Sequence, residues 1–318
     1  MNDNLSKIQK ELLAYSPPGN FQKVKNNLEI LSDSPIPKIF EEALAYHEKQ
    51  LTSCFLDPEK QDRYLKWQEA GGNTIPNRSK YPEFGRNNGD ALISPIGHVK
   101  NTKNTFYCPF SDKKFDFDPL TEKVSNIVEN KDKKLKPATA EPLRKILNTH
   151  IKKYCFEHYT LGVAAVYTFI DKDLIQAEND VKNGQFYNIF LDGHDFKPKS
   201  MIMSKWRSSW KLKISKIDNS VLLKGEIEGH IHAYELGNVQ LAIKKVYPYA
   251  KIDNTTVSDD FEKVAENVVK SISAFENEYQ KFVDETMDDL DTGMFKDLRR
   301  RVPISGPINW NNFVAHYV

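Results

Sequence analysis

Over the first fifty residues, apolar side chains recur at helical spacing in three runs: Leu5, Ile8, Leu12 and Leu13; then Phe21, Val24, Leu28 and Leu31; then a stripe across Ile36 to Leu51. Stripes of this kind predict amphipathic helices. Ser16-Pro17-Pro18-Gly19 stops the first, because proline removes backbone donors and glycine permits the turn. Phe55-Leu56-Asp57-Pro58 closes the third. Residues 1–55 therefore read as a small antiparallel helical stalk.

The pattern changes at Asp57. From there to Asn88 glycine, proline, asparagine and charge dominate, and the stretch reads as a long polar insertion. Strand-like runs follow at Ala91 to Ile96 and Phe106 to Phe117, the second ending in the period-two alternation of Lys113-Lys114-Phe115-Asp116-Phe117. Residues 56–136 thus predict a small β globule with a polar insertion, and Lys131 to Lys136 is a charged linker. Thr139 is placed to cap a helix whose stripe is Leu143, Ile146, Leu147 and Ile151, with Pro142 tolerated in its first turn. Dense strand signals then run through Val163 to Ile170, Phe186 to Leu191, Ser209 to Ile214, Val221 to Tyr234 and Val239 to Tyr247. No helices alternate with them, so residues 137–252 predict a helix followed by a central antiparallel sheet, and the fold class is α+β.

After Asp253-Asn254 comes the most regular helix of the chain, with Ser258 as its expected N-cap and Asp259, Asp260 and Glu262 in the first turn. Phe261, Ala265, Val268, Ile272, Phe275, Tyr279 and Phe282 are spaced alternately by four and three, a continuous apolar seam. The seam suits packing on the protein's own sheet. It equally suits a subunit interface, for which Phe261, Val268, Ile272, Phe275, Tyr279 and Phe282 are the candidates. The segment 253–302 ends in a short basic helix, Phe295 to Arg301, stopped by Pro303. Beyond Gly306-Pro307, the segment 303–318 carries Ile308, Trp310, Phe313, Val314 and Tyr317 at i, i+2, i+5, i+6 and i+9, with asparagines between them. It reads as an amphipathic tail, either projecting or folded back on its own domain.

Charge narrows the range of partners. The 318 residues hold 45 Lys plus Arg against 44 Asp plus Glu, a formal net charge of +1, so global attraction to nucleic acid or anionic membrane does not define the protein. A hydrophobic share of 39% with 28% charged residues excludes full disorder. Cys54, Cys108 and Cys155 are odd in number and far apart, which fits a reducing compartment rather than a disulfide framework. The start of the chain lacks the continuous apolar core of an export signal, and Leu161 to Ile170 is too short to span a bilayer, so a cytoplasmic protein without a transmembrane segment is expected.

Candidate chemistry is sparse. Phosphate-loop, dinucleotide, nucleophile-elbow and paired-cysteine motifs are absent. His47-Glu48 opens like a zinc-protease motif, but Leu51 stands where the second histidine is needed. Cys155 with His158, and His230 with His232, each make half a metal site, and Gly193-His194-Asp195 offers catalytic residue types without a nucleophile. No enzyme, metal or cofactor is expected. A nucleic-acid-binding module is the alternative reading, because Lys197, Lys199, Lys205, Arg207, Lys211 and Lys213 are interleaved with Trp206 and Trp210. The even spacing of the tryptophans suits a sheet packed under a helix equally well.

Ser204-Lys205-Trp206-Arg207-Ser208-Ser209-Trp210-Lys211, the hairpin His232-Ala233-Tyr234-Glu235-Leu236-Gly237-Asn238-Val239-Gln240-Leu241, and Phe295 to Pro303 together resemble the α subunit of the F-actin capping protein, CapZ. Pro17-Pro18-Gly19-Asn20-Phe21 and Asn309 to Tyr317 add weaker similarity. The resemblance implies a helical stalk, a small β globule, a central antiparallel sheet covered by a long C-terminal helix, and a mobile amphipathic tail. It implies a heterodimer with a capping protein β subunit of similar fold whose strands continue the sheet, a homodimer being the runner-up. It further implies capping of F-actin barbed ends in the cytoskeleton, with Lys296, Arg299, Arg300 and Arg301 meeting acidic actin surface and Ile308, Trp310, Phe313, Val314 and Tyr317 docking in an apolar groove. The chain departs from the family pattern in Asp57 to Asn88, around Ala177 to Gly184, and at Ser305-Gly306-Pro307, where further cations are expected.

Overall fold

The computed structural model describes residues 2–14, 16, 21–32, 35–47, 52–70, 84, 89–131, 139–159, 162–168, 184–197, 202–215, 220–233, 239–252 and 260–289. The chain divides into two compact units, residues 1–272 and 273–318.

Helices α1 (Asn2–Ala14), α2 (Phe21–Ser32) and α3 (Pro37–His47) form the expected stalk. Leu13, Phe21, Leu28, Ile36 and Ala43 make its core. Leu31, assigned to the buried stripe by its spacing, is instead 82% exposed. Leu28 is the last α2 residue on the core side, and the chain then turns so that the Ile36 amide donates to Glu29 Oε1 at 3.3 Å.

Strand β1 (Thr52–Cys54) is followed by a helix where the sequence pattern gives only polar insertion: α4 (Pro58–Glu69). Asp57 caps it, accepting from the Glu59 amide at 3.0 Å, and Pro58 sits at its start. Outward Glu59, Asp62 and Arg63 hide the signal. Its inner face is short but heavy, with Tyr64 and Trp67 closing an aromatic cluster around Phe55 and Phe84. Gln61, fully buried, clamps the helix in place: its Oε1 accepts from the Phe55 amide at 2.8 Å and its Nε2 donates to the Glu122 carbonyl at 3.0 Å.

β1 pairs antiparallel with β2 (Ala91–Ile93), while β3 (Thr105–Cys108), β4 (Lys113–Asp118) and β5 (Lys123–Glu129) form a three-stranded antiparallel sheet. β5 escapes a pattern search because only Val124 in it is buried. The helix α5 (Glu141–His158) starts as predicted, but without Thr139 as cap: the cap position is Ala140 and makes no side-chain bond. The Thr139 carbonyl accepts from Gln185 instead.

The central sheet is five-stranded, fully antiparallel, in the order β10-β9-β8-β7-β6, with β6 (Gly162–Tyr167), β7 (Gly184–Lys197), β8 (Ile202–Ser215), β9 (Val221–Ala233) and β10 (Val239–Lys251). One face carries Ile189, Leu191, Trp210, Leu212, Ile214, Val221, Leu223 and Ile227, none more than 1% exposed. At the β6 end the other face is buried by the small β unit, where Val163, Ala165, Tyr167 and Phe190 share a core with Phe106, Phe115 and Phe117. The β6 edge is shielded by α5, whose Asn148 Oδ1 accepts from the Val166 amide at 3.3 Å. β10 is the other edge.

Gly225 lies opposite Trp210 in the register, and a Cβ there would fall 2.2 Å from the indole ring. The fully buried indole has no room to retreat. Glycine ordinarily weakens a strand, yet Gly225→Ala is expected to cost about 1–3 kcal/mol by overpacking, read as a lower midpoint in urea unfolding.

The last described element is α6 (Phe261–Asp289). Its cap is Asp260, two residues after the expected Ser258, which lies outside the described residues: the Glu262 amide donates to Asp260 Oδ1 at 3.0 Å, and the Val264 amide to the Asp260 carbonyl. Val264, Ala265, Val268 and Ile272 are buried. His150 Nε2 of α5 stands 2.6 Å from Glu262 Oε2 and fixes the first turn. Among the described residues, no helix is long and apolar enough to cross a membrane.

Candidate functional site

The candidate actin-binding residues Lys296, Arg299, Arg300, Arg301, Ile308, Trp310, Phe313, Val314 and Tyr317 lie outside the described residues. Of the helix seam, Val268 and Ile272 are buried in the first unit and Phe261 is half-buried. In the second unit Tyr279 is buried, Phe275 is half-buried and Phe282 is 41% exposed. The seam is thus split between residues consumed by the chain's own fold and residues left accessible.

Among the described residues no three metal-ligating side chains cluster. Cys155 is buried, and the exposed His158 lies against the Tyr154 ring at 4.5 Å. His230 is buried, whereas the side chains of His47 and His232 lie outside the described residues.

Part of the described Lys197 to Lys213 stretch is turned inward. Trp210 is fully buried on the apolar face and unavailable to a stacked base. On the opposite face Arg207 Nε donates to Asp192 Oδ1 at 3.1 Å. His194 Nδ1 lies 3.0 Å from Asp192 Oδ2, and its Nε2 lies 3.1 Å from the Tyr64 hydroxyl, which accepts from Gln68 Nε2 at 2.9 Å. This chain ties α4 to β7 and β8. It was missed from sequence because Asp192 and His194 share a face only once the strand is known, and Tyr64 and Gln68 face it only once α4 exists.

Burial alone pushes the Asp192 carboxyl up, but the His194 hydrogen bond, the His194 charge and the Arg207 guanidinium outweigh it and hold the group below the usual carboxylate range. Lys205, opposite His194 in the register, is pulled down to about 8, chiefly by burial and further by the Arg207 charge, against the attraction of Asp192. For a lysine lowered in the folded state, the unfolded chain binds more protons between about pH 8 and the ordinary lysine value, so its contribution to stability rises with pH across that window. Buried Cys54 and Cys108, both raised by burial, oppose this in the whole protein. The stability difference between wild type and Lys205→Met is therefore the readout, and it is expected to shift in favour of wild type from pH 8 to 10 in urea unfolding.

The described face of the sheet beside β10 is open and charged. Asp192, Arg207, Glu228 and Lys244 stand in one row, Phe190, Ser209, Glu226 and Val246 in the next, and Asn188, Lys211 and Lys224 in a third. A groove of about 580 Å³ runs over these rows, walled by Pro95, Ile96 and Phe190.

An antiparallel sheet with one shielded and one open edge, joined to a long amphipathic helix, defines an α+β scaffold. The fold is shared with the solved structure of the homodimeric actin capping protein alpha subunit from Plasmodium berghei, with a TM-score of 0.61 at 17% identity over 96% of this chain and all of that one. The family model of the F-actin capping protein alpha subunit matches residues 79–318. Similar curated proteins are the F-actin-capping protein subunit alpha of Caenorhabditis elegans, 27% identical over 96% of this chain and 92% of that protein, and that of Dictyostelium discoideum, 26% identical over 74% and 77%. The chain belongs to the F-actin capping protein alpha subunit family.

Proposed function

We propose that the chain caps the barbed ends of actin filaments as the alpha subunit of a capping protein dimer, blocking subunit addition and loss. The observation that carries this reading is the family match, which spans residues 79–318 and so includes both the central sheet and the basic C-terminal segment. Lys296, Arg299, Arg300 and Arg301 steer the cap onto acidic actin surface. Ile308, Trp310, Phe313, Val314 and Tyr317 then dock as a helix in an apolar groove. The partner is a capping protein β subunit whose edge strand joins β10, supported by the open edge there. The accessible part of the helix seam, Phe275 and Phe282 above all, adds apolar contact in the dimer. No bond is made or broken in this activity, and it belongs to the cytoplasmic actin cytoskeleton.

The test is growth of fluorescent actin from spectrin–actin seeds with the purified chain, alone and with the β subunit. Barbed-end growth is expected to stop with the dimer while pointed-end growth continues. Unchanged barbed-end growth with both preparations overturns the reading.

A further inference from the structure

Resting on the capping reading above, we infer that the last two turns of α6 are a docking surface for this chain's own basic segment, Lys296 to Arg301, and hold it back from actin until a filament end competes for it. After Lys281 the next cation in the chain is Lys296, and Asp284, Glu285, Asp288, Asp289 and Asp291 stand between them. The first four of these carboxylates lie in the helix. Asp284 and Glu285 are exposed, and Asp288 and Asp289 follow them by one turn. At about 3.6 residues per turn the four share one side of α6, apart from the side that carries Phe275, Tyr279 and Phe282. Carboxylates one turn apart repel each other, and the negative end of the helix dipole repels all four. Lys281 stands one turn before Asp284 and Glu285, but the last turn holds no base. The helix nevertheless runs on to Asp289. Positive charge laid along that side offsets both repulsions.

The chain carries such charge just ahead. Lys296, Arg299, Arg300 and Arg301 face a single Asp297, so the segment has four cations less one carboxylate, a net charge of +3. Its reach is sufficient. Residues 290–295 span up to about 20 Å when extended, whereas Asp284 and Glu285 lie only about 6–8 Å back along the helix from Asp289. Gly293, inside that link, permits the reversal. The end of α6 and the basic segment also belong to the same compact unit, residues 273–318. Exposed ion pairs are individually weak and sensitive to salt, so the hold is one that acidic actin surface can break.

The experiment uses the full chain, alone and with the β subunit, in about 50 and about 500 mM NaCl, where screening differs strongly. A carbodiimide, which joins an amine directly to a carboxylate, is expected to link Lys296, the one amine of the segment, to the acidic residues within 284–289, about threefold more at low salt. Mixing chains of light and heavy isotopes shows that the link forms within one chain. In Arg299→Gln with Arg300→Gln and Arg301→Gln, the amides of residues 284–289 are expected to exchange with deuterium about threefold faster, because the helix end loses its counter-charge. In Asp284→Asn with Glu285→Gln, Asp288→Asn and Asp289→Asn, the basic segment is released. That dimer is expected to cap about threefold to fivefold faster than wild type at low salt, with the wild-type off-rate and no advantage at high salt. Absence of the Lys296 link, or unchanged exchange in the glutamine variant, overturns the inference. So does a link accompanied by an unchanged or slower capping rate in the amide variant, since the segment is then docked but not held back. Absence of capping in every preparation sinks the capping reading and the hold on actin with it, while the link and the exchange still decide the docking.

Discussion

Asp192→Ala is expected to lower the unfolding free energy by about 3–5 kcal/mol, the range for removing one partner of a buried ion pair. Asp192 is 1% exposed and holds two groups at once, Arg207 at 3.1 Å and His194 at 3.0 Å. Without it the guanidinium keeps its charge beside Lys205 in a place with little water. The imidazole also loses the acceptor that orients it towards Tyr64, so the grip of β7 on α4 weakens. Asp192→Asn, which keeps an acceptor oxygen, is expected to cost less.

The pH dependence separates charge from packing. Because the folded carboxyl lies below its unfolded value, its contribution is present above about pH 4 and is lost as pH falls through the folded value. Acid unfolding of Asp192→Ala is expected to lack that loss. Urea midpoints between pH 2 and 7 check both statements, and a variant as stable as wild type at pH 7 refutes the account of the network. Capping well below the melting temperature is expected to survive, since Asp192 acts on the scaffold alone.

The second large effect concerns the cap itself. Five apolar tail anchors give roughly 10 kcal/mol gross if fully buried, at 1.5–3 kcal/mol for each. Ordering the tail and joining two bodies remove several kcal/mol of that, whereas nanomolar binding requires about 12 kcal/mol. In the proposed mechanism the cationic cluster and the partner subunit supply the rest, chiefly through faster encounter and by making tail docking intramolecular. Arg300→Glu is therefore expected to slow capping severalfold and flatten its salt dependence, leaving release nearly unchanged. Trp310→Ala is expected to speed release by about tenfold to a hundredfold with little change in the on-rate. Seeded elongation followed by dilution-induced depolymerisation reads both rates. Wild-type rates in both variants count against a charged and apolar grip.

Which parts of this protein were legible beforehand follows from how far each signal reaches along the chain. The stalk helices, the antiparallel strands β6 to β10 and α6 could all be read, because each carries its own periodicity over many residues and must bury the face that periodicity defines. The motif-bearing β8 strand, the hairpin after β9 and the Phe295 to Pro303 segment likewise stand in the sequence as strings, and they pointed to the family. α4 and β5 were not legible: Tyr64 and Trp67, or Val124 alone, are too few apolar positions for a pattern, and burial against Phe84 or the facing Phe117 decides their state. The chemistry between Asp192, His194, Arg207 and Tyr64 was equally hidden, since its members are up to 143 residues apart in numbering and meet only when α4 closes over β7 and β8. Sequence by itself determined the class and order of the strongly periodic elements and the family, all of which local pattern fixes. The tertiary structure alone decided which charges are buried and bound, which edge of the sheet is shielded, and which is left open with a groove of mixed charge behind it, because register and burial are properties of strands brought together and not of any one of them.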